Sequence, residues 1–252
     1  AVKTAVSANY SAGDRITYAL SLVNTGTAAI TDYTVTDNLG GYTVGANTVY
    51  PLAYNAGTVR YYINGVLQAA PTVTAGPPLT VTGLTVPAGG SAVLIYETTA
   101  TPVAPLATGS SITNTATITG GGLTTPITAQ ATVETANSAD LTISKALSPT
   151  TVTENGQITY TFVISNTGNT EATATGNVVV TDTFAPILRN IAVTYNGTAW
   201  TEGTNYTYNA ATGVFTTLAG QITVPAASFT QNTDGTFTVT PGTATLVITG
   251  TV

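Results

Sequence analysis

Three residue types in this 252-residue chain are spaced so that they could make a covalent bond. The chain has two lysines, Lys3 and Lys145, and each opens a matching stretch: KTAVSANYSAGDRITYALSLVNTG at 3–26 and KALSPTTVTENGQITYTFVISNTG at 145–168. An aspartate follows at a matching place, Asp37 in VTDNL (35–39) and Asp182 in VTDTF (180–184), and Asn114 sits in SSITNTATITG (110–120). In a sandwich whose first and last strands are neighbours, a lysine on the first, an asparagine on the last and an aspartate between them would meet. Burial disfavours charge, so the lysine would become a neutral nucleophile while the aspartate kept its proton. The acid could then polarise the asparagine side-chain carbonyl and relay protons as the amine attacks and ammonia leaves. The product is a Lys–Asn amide, a staple that takes the place of a disulfide in a chain without cysteine.

Taken singly, these residues have plainer uses. Lys3 reads as a solvated strand residue, Asp37 as a turn former before Asn38, and Asn114 as an ordinary hydrogen-bonding residue. The shared spacing in both repeats and the scarcity of lysine favour the crosslink. The expected sites are a Lys3–Asn114 bond within the first repeat, Asp37 and Asp182 as promoting acids, and Lys145 as a nucleophile for an asparagine from elsewhere. Glu97 is a rival acid, although its counterpart in the second repeat is Thr249.

Other chemistry is excluded or weakly signalled. With no cysteine and no histidine, thiol nucleophiles, histidine triads and Cys/His metal sites are removed together. NTDG (232–235) reads as a turn, since no acidic ladder for calcium surrounds it. Asp37 with Glu97 as a glycosidase pair would need a cleft that nothing in the sequence suggests. No metal, no cofactor and no turnover enzyme are expected; the amide forms once.

The elements that must position these groups are strands. RITYALSLVN (15–24), SAVLIYETTA (91–100), ITYTFVISN (158–166) and TATLVITGTV (243–252) alternate apolar and polar residues between Gly, Pro and Asn clusters. Asn64-Gly65 and Asn196-Gly197 lie between apolar or aromatic runs and predict tight hairpins. Laying the halves together predicts an all-β fold of two tandem immunoglobulin-like sandwiches, residues 1–136 and 137–252. No counterpart of SSITNTATITG follows in the second half, so that repeat is expected to lack its last strand.

Composition narrows the partners. Charged residues make up 6 % of the chain, the net charge is −6, and five basic residues (Lys3, Arg15, Arg60, Lys145, Arg189) stand singly, so no stripe exists to neutralise phosphates. Nucleic acid is not expected, nor is membrane insertion within a segment that has no run of 18 apolar residues. A chain free of cysteine and methionine resists oxidation, which suits an extracellular or cell-surface place.

The opening lysines, the ITYxxxxxNTG strand, VTD and ITNTATI together resemble the DUF11 repeats of bacterial surface proteins, related in style to the collagen-adhesin and Gram-positive pilin domains that form internal isopeptide bonds. The resemblance covers nearly the whole chain. It implies a structural extracellular protein, a filament, pilus-like fibre or surface stalk, with other copies of itself as head-to-tail partners. The missing strand would then either be donated from another molecule or follow in a longer repeat array of which this chain is a piece. The alternative is an adhesin that offers Tyr61, Tyr62, Trp200 and Tyr206, within or next to long inserts at 40–61 and 201–234, to a glycan or host protein.

Overall fold

A computed structural model describes all 252 residues. The period-two patterning becomes strands with one buried and one open face, seen along the whole of Ser91–Ala100, where half-buried and buried residues alternate. The chain divides into two compact units: Ala1–Ala136 with Thr230–Thr238, and Asn137–Phe229 with Val239–Val252.

Seven strands position the residues of interest in the first unit. They are β1 (Val2–Ala5), β2 (Arg15–Val23), β3 (Ile30–Asp37), β4 (Leu79–Val86), β5 (Ser91–Ala100), β6 (Ser111–Gly120) and β7 (Ile127–Thr135). One sheet runs β1-β2-β5 and continues into the short strands Arg60–Ile63 and Val66–Leu67; the other runs from Thr72–Ala75 through β4-β3-β6-β7 to Asn9–Tyr10. Their inner faces close on one apolar core that includes Ile16, Tyr18, Val35, Leu94, Tyr96, Ile112 and Ile118. This is the predicted immunoglobulin-like sandwich. The hairpin between Arg60–Ile63 and Val66–Leu67 turns at Asn64 and Gly65, both at positive φ (50° and 81°), as a tight turn of this hand demands.

The second unit has β8 (Leu141–Ser148), β9 (Gln157–Asn166), β10 (Thr181–Thr183), β11 (Arg189–Tyr195), β12 (Val214–Thr217) and β13 (Gly242–Thr251). Its larger sheet, β8-β9-β13-β11 and Thr198–Trp200, reproduces the first unit's order, and Asn196-Gly197 makes the second predicted hairpin. Its smaller sheet holds only β10, β12 and Tyr206–Asn209. No strand of the chain stands where β6 and β7 stand in the first unit.

The repeated NTG motif is structural. Asn24 Nδ2 donates to the carbonyls of Ala28 and Pro87 (2.8 and 3.1 Å), and its Oδ1 accepts from Gly26 N. Asn166 does the same with Thr170, Pro225 and Gly168. Each buried asparagine thereby satisfies a loop that would otherwise bury unpaired backbone groups.

Candidate functional site

Register brings the predicted residues onto facing surfaces. On the first sheet Lys3 pairs with Leu20, and two residues along β2 Tyr18 pairs with Tyr96 of β5, so Lys3, Tyr18 and Tyr96 share the inner face. On the second sheet Asp37 pairs with Ala116. Asn114 lies two residues before Ala116 on β6, on the same face and diagonal to Asp37.

The ammonium of Lys3 lies 2.5 Å from Asp37 Oδ2, with both side chains removed from solvent. The Tyr96 hydroxyl donates to the same oxygen, and Asp37 Oδ1 accepts from Leu39 N at 2.9 Å. Lys3 Nζ also stands 4.9 Å from the ring centre of Tyr18 and 5.9 Å from that of Tyr96. Burial pulls Lys3 down from 10.5 to about 8, against the opposing pull of Asp37. Burial likewise pushes the Tyr18 and Tyr96 hydroxyls above their ordinary value, with the nearby Asp37 adding to the effect.

Asn114 is fully buried, and neither its Oδ1 nor its Nδ2 has a hydrogen-bond partner. Its carboxamide is close enough to the Tyr18 and Tyr96 hydroxyls to favour their ionised forms slightly, yet it reaches hydrogen-bonding geometry with neither. A buried polar group left so costs about 1–3 kcal/mol, and native chains rarely tolerate one without a use for it. The carboxamide thus stands beside a lysine, a carboxyl and two phenols.

The sequence reading missed Tyr18 and Tyr96. Their signal was strand parity, since each alternates with apolar residues on an inward face, in ITYALSL and VLIYETT. Parity also places Glu97. It is the next residue after Tyr96, points out of the opposite face, and meets Arg15 at 3.7 Å on the surface. Asp37, and not Glu97, is the acid that reaches Lys3.

Solved structures provide likenesses. The group B streptococcus pilus 2b backbone protein is similar over 87 % of this chain and 79 % of its own, at 16 % identity and a TM-score of 0.41. BcpA, the major pilin subunit of Bacillus cereus, is similar over 97 % and 65 %, at 14 % identity and 0.38. The collagen binding subdomain of the Enterococcus faecalis surface protein ACE is similar over 51 % and 93 %, at 12 % identity and 0.33. The likeness is one of fold. No family model matches the chain, and no curated protein does.

In the second unit Lys145 Nζ contacts Asp182 Oδ2, the same pair of atoms as in the first. Lys145 rests over the rings of Tyr160, Phe162 and Phe184 (4.7, 5.5 and 5.6 Å). Tyr160 holds the place of Tyr18, but its cross-strand partner is Ile248 where the first unit has Tyr96. The Lys145 side chain is 38 % exposed where Lys3 is 0 %, and no asparagine faces it from a neighbouring strand of the smaller sheet.

The four aromatic residues expected to bind a ligand divide. Tyr61 is buried and its hydroxyl both donates to Thr85 O and accepts from Thr85 N, while Tyr206 is buried against Phe215 (5.2 Å). These two are core residues, because their rings complete the apolar layer beneath the inserts. Tyr62 is half-buried, and so is Trp200, which stacks on Tyr195 at 4.8 Å. No helix is long and apolar enough to cross a membrane.

Proposed function

We propose that this chain is a structural segment of an extracellular bacterial filament or surface stalk, of the DUF11 kind, whose first unit is stapled by an amide between Lys3 and Asn114. The observation that carries the reading is the buried, unpartnered carboxamide of Asn114 beside the buried Lys3–Asp37 pair. In the reaction a proton passes from Lys3 Nζ to Asp37, and the free amine attacks Cγ of Asn114. The C–N bond to lysine forms as the bond to Nδ2 breaks; Asp37 gives its proton to Nδ2, which leaves as ammonia, and takes up the second proton that the lysine nitrogen sheds, so that it ends as a neutral carboxylic acid beside the amide. A buried charge and an unsatisfied carboxamide are replaced by one neutral secondary amide, which gives the step a direction.

The staple suits a load-bearing role. It joins β1 of one sheet to β6 of the other across the core, so pulling on the unit cannot separate its sheets without breaking a covalent bond. Elongation of the filament by strand donation into the second unit belongs to the same reading. The adhesin alternative loses Tyr61 and Tyr206 to the core.

Intact mass spectrometry tests the amide. The purified chain should weigh one ammonia less than its sequence, and Asn114→Ala should weigh what its sequence gives. A folded wild-type chain of full mass would overturn the staple.

A further inference from the structure

We infer that the Tyr18 hydroxyl is the oxyanion donor of the amide-forming step: it donates a hydrogen bond to Oδ1 of Asn114 as the lysine nitrogen adds to Cγ and negative charge gathers on that oxygen. The inference rests on the Lys3–Asn114 staple proposed above and assigns it a further catalytic residue.

Two unused groups meet in this core. The Tyr18 side chain is fully buried and its hydroxyl has no hydrogen-bond partner, while the Asn114 carboxamide is buried and unpartnered at both of its polar atoms. The ring of Tyr18 is accounted for by packing: it stacks on Tyr96 with centres 5.8 Å apart and lies 4.9 Å from Lys3 Nζ. A phenylalanine would pack there as well without burying a hydroxyl that nothing satisfies, and native cores rarely bury one without a use for it. It is the hydroxyl, and not the ring, that calls for a role.

Register aims that hydroxyl. Tyr18 of β2 and Tyr96 of β5 are cross-strand partners on the inner face, with ring planes 26° apart. Side chains on one face of a sheet leave it in the same direction, so both hydroxyls cross the core toward the facing sheet. That of Tyr96 ends on Asp37 Oδ2, on β3. That of Tyr18 ends beside the carboxamide of Asn114, on the neighbouring strand β6.

The three groups then divide the reaction. Tyr96 has one proton and commits it to Asp37, and Asp37 carries protons between the lysine and asparagine nitrogens. Tyr18 has one proton and no acceptor for it. A neutral amide oxygen attracts such a donor weakly and an oxyanion attracts it strongly, so the bond tightens at the barrier and contributes little before it. In a core where Lys3, Asp37 and Asn114 are all shut off from solvent, one such donor counts for more than it would in water. Tyr18 transfers no proton. Burial holds its phenol protonated, and the charge on Oδ1 collapses into the carbonyl as ammonia leaves.

The test follows the reaction in time. Chains isolated unfolded in denaturant from inclusion bodies, before the core has assembled, are refolded by dilution, and ammonia loss is read by intact mass. Tyr18→Phe is expected to react about 10²–10³-fold more slowly than wild type, the scale for removing one oxyanion donor, and to reach the same final mass given time. Asn114→Ala and the double variant Asn114→Ala/Tyr18→Phe are melted alongside. The double variant should melt no lower than the single one, because phenylalanine keeps the ring and removes an unsatisfied hydroxyl. Wild-type and Tyr18→Phe chains that lose ammonia at one rate overturn this inference and leave the staple standing. A double variant that melts well below Asn114→Ala reduces the slow Tyr18→Phe reaction to a packing defect and overturns it too. A wild-type chain that folds and keeps its full mass overturns the staple, and the role of Tyr18 with it.

Discussion

Lys3 and Asp37 meet across the sandwich core, nitrogen to oxygen at 2.5 Å, one on the inner face of each sheet. Removing one member of such a pair leaves the other charge buried alone, a loss of about 3–5 kcal/mol. Asp37→Ala is therefore expected to melt earlier than wild type and to keep the full mass, because the proton relay is gone. Asp37→Asn, nearly isosteric, should also keep the full mass while losing less stability; an ammonia loss in either variant would remove Asp37 from the reaction.

The proposed amide would close a loop from Lys3 to Asn114, almost the length of the first unit. By the chain-entropy account of crosslinks, a loop of this size contributes about 4–5 kcal/mol. Asn114→Ala should then lower the denaturant midpoint of the first unit markedly and steepen the slope, because the unfolded chain without the crosslink exposes more surface. A midpoint equal to that of wild type would show that no crosslink was present to lose.

Tyr96 shares Asp37 Oδ2 with Lys3, and the second unit has Ile248 in its place. Tyr96→Phe removes that donor with little change in shape, which costs about 1–3 kcal/mol where the partner is buried. The variant is expected to fold and to lose ammonia more slowly, followed by mass after refolding from denaturant. An unchanged rate would reduce Tyr96 to packing.

The pH dependence of stability separates stapled from unstapled chains. In Asn114→Ala the lysine stays free, and its folded value of about 8 lies below the ordinary 10.5. Between these values the unfolded chain holds more protons than the folded one, so stability rises with pH. Above 10.0 the buried hydroxyls of Tyr18 and Tyr96, pushed upward on folding, reverse the slope, because the unfolded tyrosines ionise first. The urea midpoint of this variant should climb from about pH 8 to 10 and fall beyond. Wild type, with Lys3 taken up in the proposed amide, should show no climb; a climb there would mean a free lysine.

Tyr61 and Tyr206 are buried, so truncating either to alanine is expected to destabilise its unit by about 3–5 kcal/mol, on the scale of other large aromatic truncations. Tyr62→Ala should leave the melting temperature nearly unchanged. The reverse pattern would contradict the assignment of Tyr61 and Tyr206 to the cores.

Much of this protein was determined by local sequence. Alternation fixed which stretches became strands, Asn64-Gly65 and Asn196-Gly197 fixed two hairpins by backbone conformation alone, and the repeat fixed the equivalence of Lys3 with Lys145 and Asp37 with Asp182. These depend on neighbours along the chain, where residue type acts directly. Strand parity further carried the inward aim of Tyr96 and the outward aim of Glu97. Tertiary structure decided the rest. That Asn114 falls diagonal to Asp37, and that the Tyr96 hydroxyl reaches Asp37 from the facing sheet, follow from strand order and register, which long loops leave open until two sheets pack. The burial of Tyr61 and Tyr206, in segments whose composition suggested exposed inserts, was decided the same way. So was the difference between a sealed Lys3 and a half-open Lys145, because solvent exposure is set by the strands that cover a residue and not by its own sequence neighbours.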